Sequence, residues 1–160
     1  MYLSASSSLV YVRETDGDHF YIVLYKRTTG ERSKVVGLIN ASLATFDLTS
    51  SNDLTNSPCI RDVRILLQEF PSLRGRGGEV TVLIMNESEL NSEYQNQGIG
   101  KSLYLKCMGE GWKDNGRKPF LFVPHYCMDG VTSNEARRVW TSLARRYPSS
   151  GDCIAVLEAP

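Results

Sequence analysis

The run Gln95-Asn96-Gln97-Gly98-Ile99-Gly100-Lys101-Ser102 restricts the fold of this 160-residue chain more than any other segment. It reads as a tight glycine turn opening directly into a helix, Lys101 to about Lys113, and fed by a strand from Val80 to about Leu90. A helix that begins this way leaves several backbone N–H groups unpaired and aims the positive end of its dipole at one spot. Such a corner suits a phosphate or pyrophosphate. Gly98 and Gly100 allow dihedrals closed to other residues and let a ligand approach the main chain, while Lys101 and Ser102 add a charge and a hydroxyl.

Spacing separates the phosphate-binding patterns that compete for this turn. A dinucleotide turn needs a third glycine where Leu103 stands. A P-loop would close on Gly100-Lys101-Ser102, but its opening glycine is replaced by Gln95, and Glu89-Leu90-Asn91-Ser92-Glu93 upstream is not an apolar strand. The pattern Gln/Arg-x-x-Gly-x-Gly/Ala, set between a strand and a helix, fits Gln95 to Gly100 at every fixed position. Here the chain resembles the GNAT family of acetyl-CoA-dependent N-acetyltransferases. The flanks extend the resemblance: Leu90, then Asn91-Ser92, then Glu93-Tyr94 precede the turn. A strand at Pro119–Val123, a helix from Ser133 to about Tyr147 and a strand at Cys153–Leu157 follow it.

The resemblance covers roughly the second half of the chain. It implies an α/β (α+β) fold, a mixed and mostly antiparallel sheet with helices on both faces, in a single domain over 1–160. Within it, 80–160 is the acetyl-CoA-binding core and 1–79 a divergent amino-terminal part. It also implies acetyl transfer from acetyl-CoA to an amine by direct attack, with acetyl-CoA as co-substrate and no metal. The cofactor would lie against Gln95, Asn96, Gln97, Gly98, Ile99, Gly100, Lys101 and Ser102. A main-chain N–H at Leu90 would hold the carbonyl oxygen. The second helix would add Ser133 and Trp140, which stand where the family usually carries Asn and the tyrosine that protonates the thiolate. An indole does not supply such a proton. Tyr126 is therefore the first substitute acid and Tyr147 the second. Glu87 and Glu89, two apart on one strand and so on one face if no bulge intervenes, are candidate bases, with His125 as the alternative. Cys127 reads as a bystander.

Composition bounds the remainder. A 41% hydrophobic share can build one core, and zero formal net charge gives no global field for nucleic acid. No apolar run approaches a membrane span, and the first eight residues do not read as a secretory signal. Cys59, Cys107, Cys127 and Cys153 are scattered without a Cys-x-x-Cys pair, which suits reduced thiols and a cytoplasmic setting. The amino-terminal part reads as a meander of Leu9–Val12, Phe20–Tyr25 and Val35–Ile39. A helix through Ile60, Val63, Leu66, Leu67 and Phe70, stopped by Pro71, comes next, followed by a basic loop, Arg74–Gly78. On the second helix Ala136, Val139, Trp140, Leu143 and Tyr147 share a face, while Arg137, Arg138, Arg145 and Arg146 fall largely elsewhere. Those arginines keep a second reading open, a nucleic-acid-binding or nucleic-acid-modifying module, and Trp140 a third, a silent GNAT-like interaction protein. The acceptor amine, protein or small molecule, is not legible, and a homodimer is compatible with every reading.

Overall fold

A computed structural model describes residues 7–47, 79–124, 133–146 and 154–156. Its elements run β1 (Ser7–Asp16), β2 (His19–Thr28), β3 (Lys34–Asp47), β4 (Glu79–Leu90), a 3-10 turn (Ser92–Tyr94), α1 (Ile99–Asp114), β5 (Phe120–Pro124), α2 (Asn134–Arg146) and β6 (Ile154–Val156). Six strands form one sheet in sequence order. The first four pair antiparallel, and β4–β5 and β5–β6 pair parallel. The general class is therefore α+β with a mostly antiparallel sheet.

The amino-terminal meander is present, with longer strands than the apolar runs suggest. Gly17, at φ 59°, closes the β1–β2 hairpin in the left-handed region that a glycine occupies without a side-chain penalty. β3 runs on past Ile39 through Asn40-Ala41-Ser42, residues of low strand preference, because β4 pairs with it from Gly37↔Leu90 to Asp47↔Glu79.

Parallel neighbours must be joined by crossovers, and α1 and α2 are those connections. Both pack on one face of the sheet. Phe20, Ile22 and Leu24 of β2, Ile39 and Ala41 of β3, Leu83 and Met85 of β4, and Phe120 and Phe122 of β5 form one buried cluster. Leu103, Tyr104, Cys107 and Met108 of α1 and Trp140 and Leu143 of α2 complete it. Val23, Val82, Leu121 and Val123, out of phase with that cluster, are buried on the opposite face, so β5 is apolar on both sides. The expected helix from Ile60 to Phe70, which would serve that face, lies outside the described residues, as do the Arg74–Gly78 loop, His125, Tyr126, Cys127 and Tyr147.

Two devices fix α1. Gly111 faces Leu83 so closely that an added Cβ would stand 2.6 Å from Leu83 Cδ2. Arg13, on β1, donates to Glu110 Oε2 at 2.9 Å and to both Asp114 carboxylate oxygens at 2.7 and 2.6 Å, and its guanidinium lies 4.9 Å from the Phe20 ring centre. The edge strand and the last turns of the helix are thus clamped together.

Candidate functional site: a cleft at the end of β4

A single inserted residue divides β4 into two parts. Register passes from Ala41↔Met85 to Asn40↔Glu87, which leaves Asn86 as a bulge. Before it, Leu83 and Met85 point at α1; after it, Ser88 and Leu90 do. Ser88 Oγ lies 3.0 Å from Tyr104 Oη of α1, and Leu90 Cδ2 is 3.8 Å from where a Gly100 Cβ would stand. Without the bulge, Glu87 and Glu89 would be driven into the apolar core. With it, the two carboxylates do share a face, the one away from α1, and both are exposed.

On its other side β4 pairs with β5 from Val82↔Leu121 to Met85↔Pro124, where the described part of β5 ends, and β4 itself continues to Leu90. Asn91 N–H donates to Val36 C=O at 2.9 Å, which makes Leu90 and Gly37 a non-hydrogen-bonded pair of the antiparallel ladder. Leu90 must then turn its own N–H and C=O away from β3, toward the opposite edge of β4. Its carbonyl accepts from Gln95 Nε2 at 3.0 Å. Its N–H has no strand partner among the described residues.

A cavity of about 510 Å³ occupies this edge, walled by the end of β4, the glycine turn and the first turns of both helices. The turn is made by two left-handed residues, Asn96 at φ 60° and Gly98 at φ 77°. Gly98 is the N-cap of α1 and carries no side-chain cap, and the first helical bond runs from Ser102 N–H to Gly98 C=O at 3.1 Å. The N–H groups of Ile99, Gly100 and Lys101 consequently have no intrahelical acceptor. At the facing helix Ser133 is the cap, accepting the Ala136 N–H on Oγ at 3.1 Å.

Of the residues singled out in the sequence, Glu89, Leu90, Gln95, Asn96, Gly98, Gly100, Lys101 and Ser133 line the cavity, and Gln97, Ile99, Ser102 and Glu87 do not. Gln97 Nε2 instead binds Glu93 C=O at 2.7 Å, and Ser102 Oγ returns to Gly98 C=O at 3.2 Å. Lys101 Nζ donates to Ser142 Oγ of α2 at 2.6 Å, which braces the two helices. The Lys101 ammonium and the Ser102 hydroxyl each have a partner inside the protein, and the unpaired main-chain N–H groups of the helix start remain. Gly100 has helical dihedrals and ordinary room for a Cβ, so its lack of a side chain serves the width of the cleft between Leu90 and Val139.

Trp140 is a core residue, 2% exposed, its ring centre 4.9 Å from that of Phe122 in an edge-to-face contact and 5.4 Å from that of Tyr104 at a tilt, and it is not among the residues lining the cavity. Tyr104 reaches it instead. Only 4% exposed, it lies between Trp140 and Ser88 with its phenol at the cavity wall. Burial raises its pKa, opposed by the Ser88 hydrogen bond, and the nearby Cys107 also raises it. Burial likewise pushes the Cys107 thiol far up, so that cysteine stays a neutral core group.

The sequence reading missed Tyr104, Ser88, Arg138 and Val139 as wall residues. One signal was present for the first: in Leu103-Tyr104…Cys107-Met108…Gly111 a phenol interrupts an otherwise apolar helical stripe, four residues after Gly100. Lys101, Glu89, Glu135 and Arg138 are the charged residues among those lining the cleft, two of each sign. Among the described residues no group of three or more potential metal-ligating side chains occurs, and no helix is long and apolar enough to cross a membrane. In comparison with known proteins, no family model, no curated protein and no solved structure matches this chain.

Proposed function

We propose that this protein is a GNAT-like N-acetyltransferase that takes acetyl-CoA in the cleft between the end of β4 and the two helix N-termini. The observation that carries the reading is the pairing of an uncapped glycine-led helix start with a strand end whose Leu90 N–H turns away from its β3 neighbour, both bordering one cavity. The N–H groups of Ile99, Gly100 and Lys101 suit a pyrophosphate, with the helix dipole adding to their attraction. Main-chain N–H and C=O groups at that strand end suit an extended arm carrying amides, which hydrogen-bonds as an added strand does. The size of the cavity is in the range of small-molecule sites.

The chemistry asks three things of the site. The amine must be neutral when it attacks, the thioester oxygen needs a donor as charge builds on it, and sulfur must leave. Leu90 N–H, turned away from β3, is the donor at the oxygen. Glu89, whose strand position borders the cleft, takes the proton of the incoming amine through water, and Glu87 beside it on the same face, away from α1, adds negative charge that draws cationic acceptors. The acceptor is an amine, and the reaction needs no metal.

The test is calorimetric titration of the whole chain with acetyl-CoA, followed by a panel of amines that includes peptides, polyamines and aminoglycosides. Micromolar binding with acetyl transfer to at least one amine supports the reading. No binding of acetyl-CoA by the folded protein overturns it.

One observation favours a second reading. Arg137, Arg138, Arg145 and Arg146 border a groove on the outer face of α2 together with Thr141 and Ser142, and the four arginines are exposed. A protein that uses this groove for nucleic acid binds RNA or DNA with a steep salt dependence and is indifferent to acetyl-CoA.

A further inference from the structure

A thioester exchanged for an amide leaves a thiolate, and its departure is eased when a proton meets the sulfur. The group that occupies the conventional helix position for such a proton, Trp140, is sealed in the core. Beside it the cleft wall holds a different O–H. Tyr104 Oη is buried at the wall and lies 3.0 Å from Ser88 Oγ, while Ser88 itself is exposed. Two hydroxyls in one hydrogen bond, the first buried and the second wet, make a short relay from the interior of the cleft to solvent. Ser88 also stands two residues along β4 from Leu90, whose N–H is turned away from β3.

We infer that Tyr104 is the catalytic proton donor to the leaving sulfur, and that Ser88 is a positioning residue that orients its phenol and returns its proton. The inference rests on the acetyl-CoA reading above. In the step, the amine nitrogen forms a C–N bond to the acetyl carbon and the C–S bond breaks with its electron pair on sulfur. The Tyr104 hydroxyl gives its proton to that sulfur. The proton that nitrogen sheds as it becomes an amide passes to solvent, and the phenolate is restored through Ser88. In sum, one acetyl group moves from sulfur to nitrogen and one proton from nitrogen to sulfur. Burial, which raises the phenol's pKa, keeps it protonated and ready to donate at neutral pH.

The test needs no acceptor. CoA is the product, and a donor aimed at its sulfur favours the thiolate over the thiol. Bound CoA should therefore ionise at lower pH than free CoA, and affinity should rise with pH above neutrality. Other ionisable groups border the site: Glu89 from β4, Lys101 and Cys107 from α1, and Glu135 and Arg138 from α2. Their titration, and that of the CoA phosphates, is cancelled by measuring desulfo-CoA alongside.

The expected result is a CoA-to-desulfo-CoA affinity ratio that rises roughly tenfold from pH 7 to pH 9, the size of one charge-assisted hydrogen bond. Tyr104→Phe should flatten the ratio and leave affinity for desulfo-CoA unchanged, and Ser88→Ala should flatten it in part. A ratio that climbs equally in both variants, or is flat in the wild-type protein while CoA binds, overturns the role of Tyr104 and leaves the acetyl-CoA reading standing. No binding of either ligand overturns both. Should Tyr104→Phe fail to fold, Ser88→Ala decides: a ratio as steep as the wild type's rejects the pair.

Discussion

At its C-terminal end α1 is tied at every level. Gly111 presses on Leu83, Arg13 clamps Glu110 and Asp114, and Asn115 N–H closes the helix on Gly111 C=O at 2.9 Å while its side chain holds the carbonyls of Lys118 and Pro119. At its N-terminal end the same helix has no side-chain cap, glycine at two of its first three positions counted from the cap, and a cavity in front of it. Uncapped donors cost stability, and they persist where something other than the protein is to satisfy them. One end of α1 thus supplies the rigidity that lets the other stay open. Damage at the tied end should appear as lost stability, and damage at the open end as lost binding.

The largest effect is expected at Gly111. Valine there drives methyl groups into Leu83, a side chain buried on all sides and unable to swing aside. Overpacking of this kind costs roughly 3 kcal/mol. Chemical denaturation of Gly111→Val should show that loss, while the fraction still folded binds acetyl-CoA as the wild type does. A variant of unchanged stability would mean that the helix does not approach β4 this closely.

Gly100→Val is the mirror experiment. A Cβ at that position meets only ordinary contacts, 3.8 Å to Leu90 and 4.0 Å to Val139, so the fold tolerates it, but branching fills the cleft between those two walls. Acetyl-CoA affinity should fall about tenfold or more, on the order of 1.4 kcal/mol, with stability falling by less. Gly100→Ala should lie between. If Gly100→Val binds acetyl-CoA like the wild type, the open end of α1 is not the binding end and the contrast fails.

The open end was also the more legible of the two in the sequence. A strand, a glycine turn and a helix start are local features, and Gln95 to Ser102 states them in eight residues. What the sequence could not state was which side chains would be left over: Lys101 and Ser102 look like ligand contacts, yet each finds a partner, Ser142 and the Gly98 carbonyl, that only the folded chain supplies. The tied end depends on pairs far apart in sequence. Arg13 lies 97 residues from Glu110, and no local pattern announces their meeting. The bulge at Asn86 was invisible for the same reason, because it is a property of two strands in register, and it decides that Ser88 and Leu90 rather than Glu87 and Glu89 face the helix. The meander and the amphipathic α2 were readable because alternation and helical spacing report burial directly. β3 was read short because its second half owes its strand form to β4 and not to its own residues.

Arg13 offers a smaller test of the tied end. Its side chain is 29% exposed and its partners 13% and 31%, so solvent screens part of the attraction. Arg13→Ala removes a bidentate pair, a second carboxylate contact and the stacking over Phe20, and should cost about 1–2 kcal/mol. Arg13→Lys keeps the charge and loses the fork, and should recover less than half of that. Neither change should alter acetyl-CoA affinity at neutral pH. A loss of binding in Arg13→Ala with stability intact would show that the two ends are coupled rather than divided in role.

The smallest effect concerns pH. Burial acts to raise the pKa of Glu110, but the hydrogen bond from Arg13 and the charges of Lys113 and Arg13 outweigh it and hold the carboxyl below its ordinary range. In the window between the folded and unfolded values the unfolded chain binds more protons at this site than the folded one does. The contribution of Glu110 is therefore complete above the unfolded carboxylate pKa and is lost as pH falls through the lowered folded value. Glu110→Gln cannot titrate, so its stability should fall less steeply than the wild type's as the solution is acidified, even though the variant starts lower at neutral pH. Parallel acid profiles for the two proteins would mean that Glu110 carries no shifted titration. A steeper profile in Glu110→Gln would mean that Asp114, the other carboxylate on the same guanidinium, takes over the clamp when Glu110 is neutral.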